Sequence, residues 1–155
     1  MKILMVCLGN ICRSPLADAL LRKKVAEIGL DIEIDSAGTS DYHIGGEPDK
    51  RTQENALNHG LDMSFLRARQ FTKKDFDTFD LIYVMDKSNE CNVLSLTADS
   101  GQKEKVKLIL DLLDDAQYKE VPDPYFGGEQ GFETGYNLLD QATDKILEEI
   151  STQKQ

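Results

Sequence analysis

The residues with the greatest chemical capacity stand near the start of the chain, in Val6-Cys7-Leu8-Gly9-Asn10-Ile11-Cys12-Arg13-Ser14-Pro15. Cys7 is a nucleophile when ionised, and Arg13 supplies a planar fork of charged donors that can grip two oxygens of one tetrahedral anion. A short loop between them, curled over a helix N-terminus, can turn its backbone N–H groups inward and add the helix dipole, forming a cradle for a dianion. Gly9 and Asn10 tolerate the positive φ that such a curl needs. At the bottom of the cradle the same field favours Cys7 as thiolate, placed for in-line attack on a bound phosphorus, and the Ser14 hydroxyl can steady that thiolate. Cys7 and Cys12 as two small buried hydrophobes is the plainer alternative, and a bare cysteine and arginine at this spacing would deserve it. The complete string, with its curl, its arginine and its Ser-Pro pair, favours chemistry.

Such a loop needs a strand behind it and a helix in front. Lys2 to Val6 has buried-strand character, and Ser14-Pro15 reads as N-cap and first turn of a helix whose apolar stripe is Ala17, Leu20, Leu21, Val25 and Ile28, ended by Gly29. Asp31 to Asp35 reads as a second strand, Ser36 to Pro48 as a Gly-containing loop where α/β folds place binding residues, and Asp49 to Asn58 as a helix. Phe79 to Met85 and Val106 to Leu110 supply two further strands, and Phe132, Tyr136, Leu139, Ala142, Ile146 and Ile150 mark a closing amphipathic helix. Strands alternating with helices argue for an α/β sandwich on a parallel sheet, with ligands at the carboxyl ends of its strands.

The chain has 155 residues, 40% hydrophobic and 30% charged, which suits one domain spanning residues 1–155. A net charge of −10 argues against nucleic acid and anionic membrane as partners. No apolar run approaches the ~18 residues of a spanning helix, and the three cysteines form neither an even disulfide set nor a paired zinc pattern. A reducing, cytoplasmic setting is expected, with no metal.

The string Val6 to Pro15 closely resembles the signature of the low-molecular-weight protein tyrosine phosphatases, as does Asp123-Pro124-Tyr125 near the other end. The likeness continues through Asp35-Ser36-Ala37-Gly38, Tyr42, Asn58-His59-Gly60, Met85-Asp86 with Ser88-Asn89, and Phe132-Glu133-Thr134. It implies a three-layer sandwich: a four-stranded parallel sheet with helices on both faces and a phosphate-binding loop after the first strand. It also implies cofactor-free hydrolysis of phosphotyrosine proteins through a phosphocysteine on Cys7, with Arg13 as phosphate clamp and Asp123 as general acid and then base. Inorganic phosphate or vanadate would occupy the same loop.

Further roles follow from the resemblance. Leu8, Ile11, Tyr42 and Tyr125 would wall the pocket, joined by Gly9, Asn10, Cys12 and Ser14 around the phosphate. Asn10 and Ser36 would hold the loop in shape, Asp86 would position Arg13, and Cys12 would form a reversible, redox-sensitive disulfide with Cys7. Phe65 stands near the place where many members carry a histidine of the loop network. His59 reads as structural. Asp123 also has a direct argument, because Val121-Pro122-Asp123-Pro124 is stiff and non-helical, a rigid mount for a proton donor. Arsenate reductases share a related fold but need further cysteines, and only Cys91 remains. Protein arginine phosphatases resemble this loop with threonine where Ile11 stands. A catalytically silent phosphopeptide-binding module would have no use for both Cys7 and Asp123.

Overall fold

The computed structural model describes residues 1–114, 117–124 and 128–153. Its first strand, β1 (Lys2–Cys7), is a near-continuous apolar run because both faces are covered. Ile3, Met5 and Cys7 point into one core, and Leu4 and Val6 into the other. β2 (Glu33–Gly38), β3 (Leu81–Val84) and β4 (Val106–Leu108) complete a parallel sheet of order β2-β1-β3-β4. Helices α1 (Arg13–Glu27) and α6 (Gly128–Gln153) bury Leu20, Leu21, Leu139 and Ile146 in the first core. The short α3 (Asp75–Thr78) and α4 (Lys87–Leu94) cover the other face through Phe76 and Val93. The result is the three-layer α/β sandwich expected, with a four-stranded parallel sheet.

Four local expectations are corrected. β2 runs past Asp35 to Gly38, because Ser36, Ala37 and Gly38 pair with Met5, Val6 and Cys7; a buried ladder outweighs their weak strand propensity. The expected loop therefore begins at Thr39. β4 stops at Leu108, and Ile109–Leu112 form a 3₁₀ turn that keeps Ile109 and Leu110 buried without strand pairing. α1 begins at Arg13 with Cys12 at its cap position and no side-chain cap bond, because the Ser14 hydroxyl is used by the loop instead. Ile28, the last residue of the expected stripe, is exposed, since α1 ends at Glu27. α2 (Lys50–Asn58) follows expectation, with the Asp49 carboxylate accepting from the N–H groups of Arg51 and Thr52. α3 and α5 (Ser100–Lys103) carry no periodic apolar signal in four residues each. Among the described residues no helix is long and apolar enough to cross a membrane.

Candidate active site

β1 delivers Cys7 to the carboxyl edge of the sheet, 2% exposed, and the chain curls from there into α1. Asn10 makes the curl with φ of 56°, and its N–H donates to Cys7 Sγ at 3.3 Å. The Ser14 hydroxyl lies 2.9 Å from the same sulfur and receives Asn10 Nδ2 at 2.8 Å. Gly38, at the end of β2, backs the loop closely: a Cβ there would stand 2.7 Å from the Leu8 carbonyl oxygen and 3.1 Å from the Asn10 nitrogen. Thr39 and Ser40 N–H groups bond the Cys7 and Leu8 carbonyls at 2.9 and 3.0 Å, and the Asp49 N–H bonds the Ile11 carbonyl at 2.8 Å. The loop is thereby tied to β2, to the segment after it and to the start of α2.

Arg13 is buried at the head of α1, where its Nη1 donates to Asp86 Oδ2 at 2.7 Å and to the Val121 carbonyl at 3.2 Å. Burial works against its charge, but attraction first to Cys7 and then to Asp86 and Asp123 prevails, and the guanidinium pKa lies above its ordinary value. Asp86 does two jobs at once: its other oxygen accepts the Asn89 N–H at 2.7 Å and caps α4. The Val121 N–H bonds the Met85 carbonyl at 2.9 Å, which fixes the rigid Pro122-Asp123-Pro124 segment beside Arg13.

Cys7, Arg13 and Asp123 line one cavity of about 220 Å³, with Leu8, Ile11 and Tyr42 among its walls and Gly9, Cys12 and Pro124 beside them. Leu8 and Tyr42 stand 46% and 76% exposed, so the rim is apolar and aromatic. Tyr125 lies outside the described residues. Cys7 and Cys12 are buried and Cys91 is exposed. Ser36 is buried in β2 and its hydroxyl acts on the Asp18 carboxylate of α1. Phe65 lies under the Arg22 guanidinium, 5.4 Å from it, rather than in the loop network. His59 stacks on Tyr136 at 3.9 Å and bonds Glu133, joining α2 to α6.

Two features were not singled out by the sequence. His43 lines the cavity, its ring so close to Gly9 that a Cβ there would meet it at 3.0 Å. Its only cue was its place after Tyr42 in the loop that follows β2. The backbone N–H of Arg69 donates to Asn10 Oδ1 at 3.0 Å across 59 residues of chain, which no spacing rule anticipates.

A thiol at the carboxyl end of a parallel strand, with a buried arginine in the first turn of the next helix, defines an α/β protein that can hold a tetrahedral oxyanion against a nucleophile. Residues 2–155 match the family model of the low molecular weight phosphotyrosine protein phosphatases. The human low molecular weight phosphotyrosine protein phosphatase is 43% identical over 95% of this chain and 94% of its own. A protein tyrosine phosphatase from Entamoeba histolytica superposes with TM-score 0.93 at 35% identity, covering 100% of this chain and 99% of its own. The Drosophila arginine phosphatase superposes with TM-score 0.89 at 32% identity, covering 97% and 98%. The chain belongs to the low molecular weight phosphotyrosine protein phosphatase family, and is a hydrolase of that kind.

Proposed function

We propose that the protein hydrolyses phosphotyrosine in proteins through a phosphocysteine. The observation that carries the reading is the joint lining of one cavity by Cys7, Arg13 and Asp123. The Cys7 thiolate attacks phosphorus as the bond to the tyrosine oxygen breaks, and Asp123 gives that oxygen its proton. Water then attacks the phosphocysteine, Asp123 takes the water's proton, and Cys7 leaves as thiolate. Arg13 Nη1 is occupied by Asp86 and Val121, so its Nε and Nη2 edge is the fork offered to two phosphoryl oxygens, with loop N–H groups for the rest. No cofactor takes part. Leu8, Ile11 and Tyr42 form an apolar slot suited to a ring, and a phenol leaves far more readily than an alkoxide.

The likeness to the Drosophila arginine phosphatase raises phosphoarginine as a second substrate class. The bulk of Ile11 in the wall favours the flat ring. Hydrolysis of phosphotyrosine, phosphoserine and phosphoarginine peptides near pH 5–6 by wild type, Cys7→Ser and Asp123→Ala tests both. Turnover confined to phosphotyrosine, abolished by the first change and cut about 10²–10⁴-fold by the second, supports the proposal. Preference for phosphoarginine sinks the substrate assignment, and undiminished turnover by Cys7→Ser sinks the mechanism.

A further inference from the structure

The Arg69 guanidinium is gripped from two sides. Its Nε donates to Asp35 Oδ2 on β2 at 3.0 Å, and its two terminal nitrogens each meet one oxygen of buried Asp75, at the head of α3, at 3.1 Å. Asp75 Oδ2 also accepts the Thr72 N–H at 2.8 Å. The backbone of the same residue is pinned: Gly38 N–H bonds the Arg69 carbonyl at 2.8 Å and Phe71 N–H bonds the Gly38 carbonyl at 2.7 Å. Burial alone would lower the Arg69 pKa, but Asp75 and Asp35 hold it above the ordinary value. The Arg69 side chain does not line the cavity, but the backbone N–H of the same residue meets the loop at Asn10.

That N–H can only donate, so Asn10 must turn its oxygen toward Arg69 and its Nδ2 toward Ser14, as found at 3.0 and 2.8 Å. Ser14 Oγ therefore accepts from Asn10, and its single proton goes to one of two acceptors, Cys7 Sγ at 2.9 Å or the Ala37 carbonyl at 3.4 Å. The shorter contact is the better one. We infer that Arg69 is a positioning residue for Cys7: by clamping residues 69–71 between Asp35 and Asp75, it fixes the direction of the chain Arg69 N–H, Asn10, Ser14, and so commits the Ser14 hydroxyl to donate to the thiolate. Donation to the charged form favours that form. Without the clamp residues 69–71 keep their backbone bonds to Gly38 but lose both carboxylate grips, so that Asn10 turns over more readily and Ser14 donates elsewhere, while Arg13, His43 and Asp123, which line the cavity with Cys7, are left unchanged.

The inference rests on Cys7 reacting as a thiolate, and its test does not require turnover. Alkylation of Cys7 by iodoacetamide is followed from pH 4 to 8, with the label located by tandem mass spectrometry, in wild type, Arg69→Met, Arg69→Lys and Asn10→Ala. Arg69→Met is expected to move the midpoint of the profile about one pH unit upward and to lower kcat/KM for para-nitrophenyl phosphate about tenfold at pH 5, the gap closing toward pH 8. Arg69→Lys, which keeps the charge but not the fork to both carboxylates, should fall between. Arg69→Met combined with Asn10→Ala should shift the midpoint no further than Asn10→Ala alone, because both act through one chain. An unmoved midpoint in a folded Arg69→Met that is only less stable to urea overturns the inference, and so does full additivity. Should Arg69→Met not fold, Asp35→Asn, which loosens one grip of the clamp, must shift the midpoint in the same direction or the inference fails. An alkylation shift in a protein that spares phosphotyrosine would refute the substrate reading and leave the clamp standing.

Discussion

Ser14 and Asp18 lie one helical turn apart on α1, and both side chains are wholly buried. Around Ser14 each polar atom has a partner and the partners have partners of their own: Cys7, Asn10 and Ala37 meet the hydroxyl, and Arg69 holds Asn10. Asp18 is held through Oδ1 by Arg22 at 2.9–3.0 Å, while Oδ2 has no hydrogen-bond partner among the described residues and the Ser36 hydroxyl contributes little. Burial accordingly pushes the Asp18 carboxyl up to about 6, against the opposing pull of Arg22. One end of the helix thus carries a satisfied polar network and the next turn a costly one. A buried polar group on this helix is tolerated where it serves the loop in full or at a stability penalty.

The comparison breaks most sharply at Gly38. Gly38→Ala places a Cβ 2.7 Å from the Leu8 carbonyl, a backbone atom that cannot step aside without opening the loop. We expect kcat/KM to fall at least about a hundredfold, through loss of cradle geometry, with a stability loss of about 1–3 kcal/mol. Full activity in that variant would show that the loop gives way more easily than its contacts imply.

Asp18→Asn sharpens the other side. An acid whose folded value is raised adds stability that is fully present below its unfolded value of 3.8 and is lost as pH climbs through about 6. Wild type should therefore lose on the order of 3 kcal/mol of stability between those pH values from this group alone. Urea unfolding of Asp18→Asn across pH 4–8 should show that decline flattened, with hydrolysis at pH 5–6 changed less than about threefold. The smallest effect is expected at Cys91, exposed on α4 and part of neither region. Cys91→Ser should keep phosphatase activity within about twofold, and a larger loss would reopen the arsenate reading, in which a further cysteine must carry electrons.

What the sequence could and could not reveal follows the same division. Cys7, Arg13 and Ser14 act through a contiguous loop, so residue type and spacing carry their chemistry, and the buried β1 and the stripe of α6 are legible because their apolar periods are. The far wall was found differently: Asp123 was marked by two prolines and a resemblance, not by any spacing to Cys7. Arg69, Asp35 and Asp75 form their clamp from β2, the segment before α3 and α3 itself, and His43 enters the cavity from an irregular loop. Such groups meet only through the parallel topology. Local propensity also misplaced the end of β2, because Ser36 to Gly38 become strand only when β1 lies beside them.

The tethering of the loop has a thermodynamic consequence. Its curl is held from behind by Gly38, from the side by Arg69 and from α2 by Asp49 before any anion arrives. Little backbone freedom is then left to surrender on binding. In a calorimeter, capture of inorganic phosphate should show the exchange of hydration for fixed donors without the large entropic penalty and heat-capacity change of a loop that folds around its ligand.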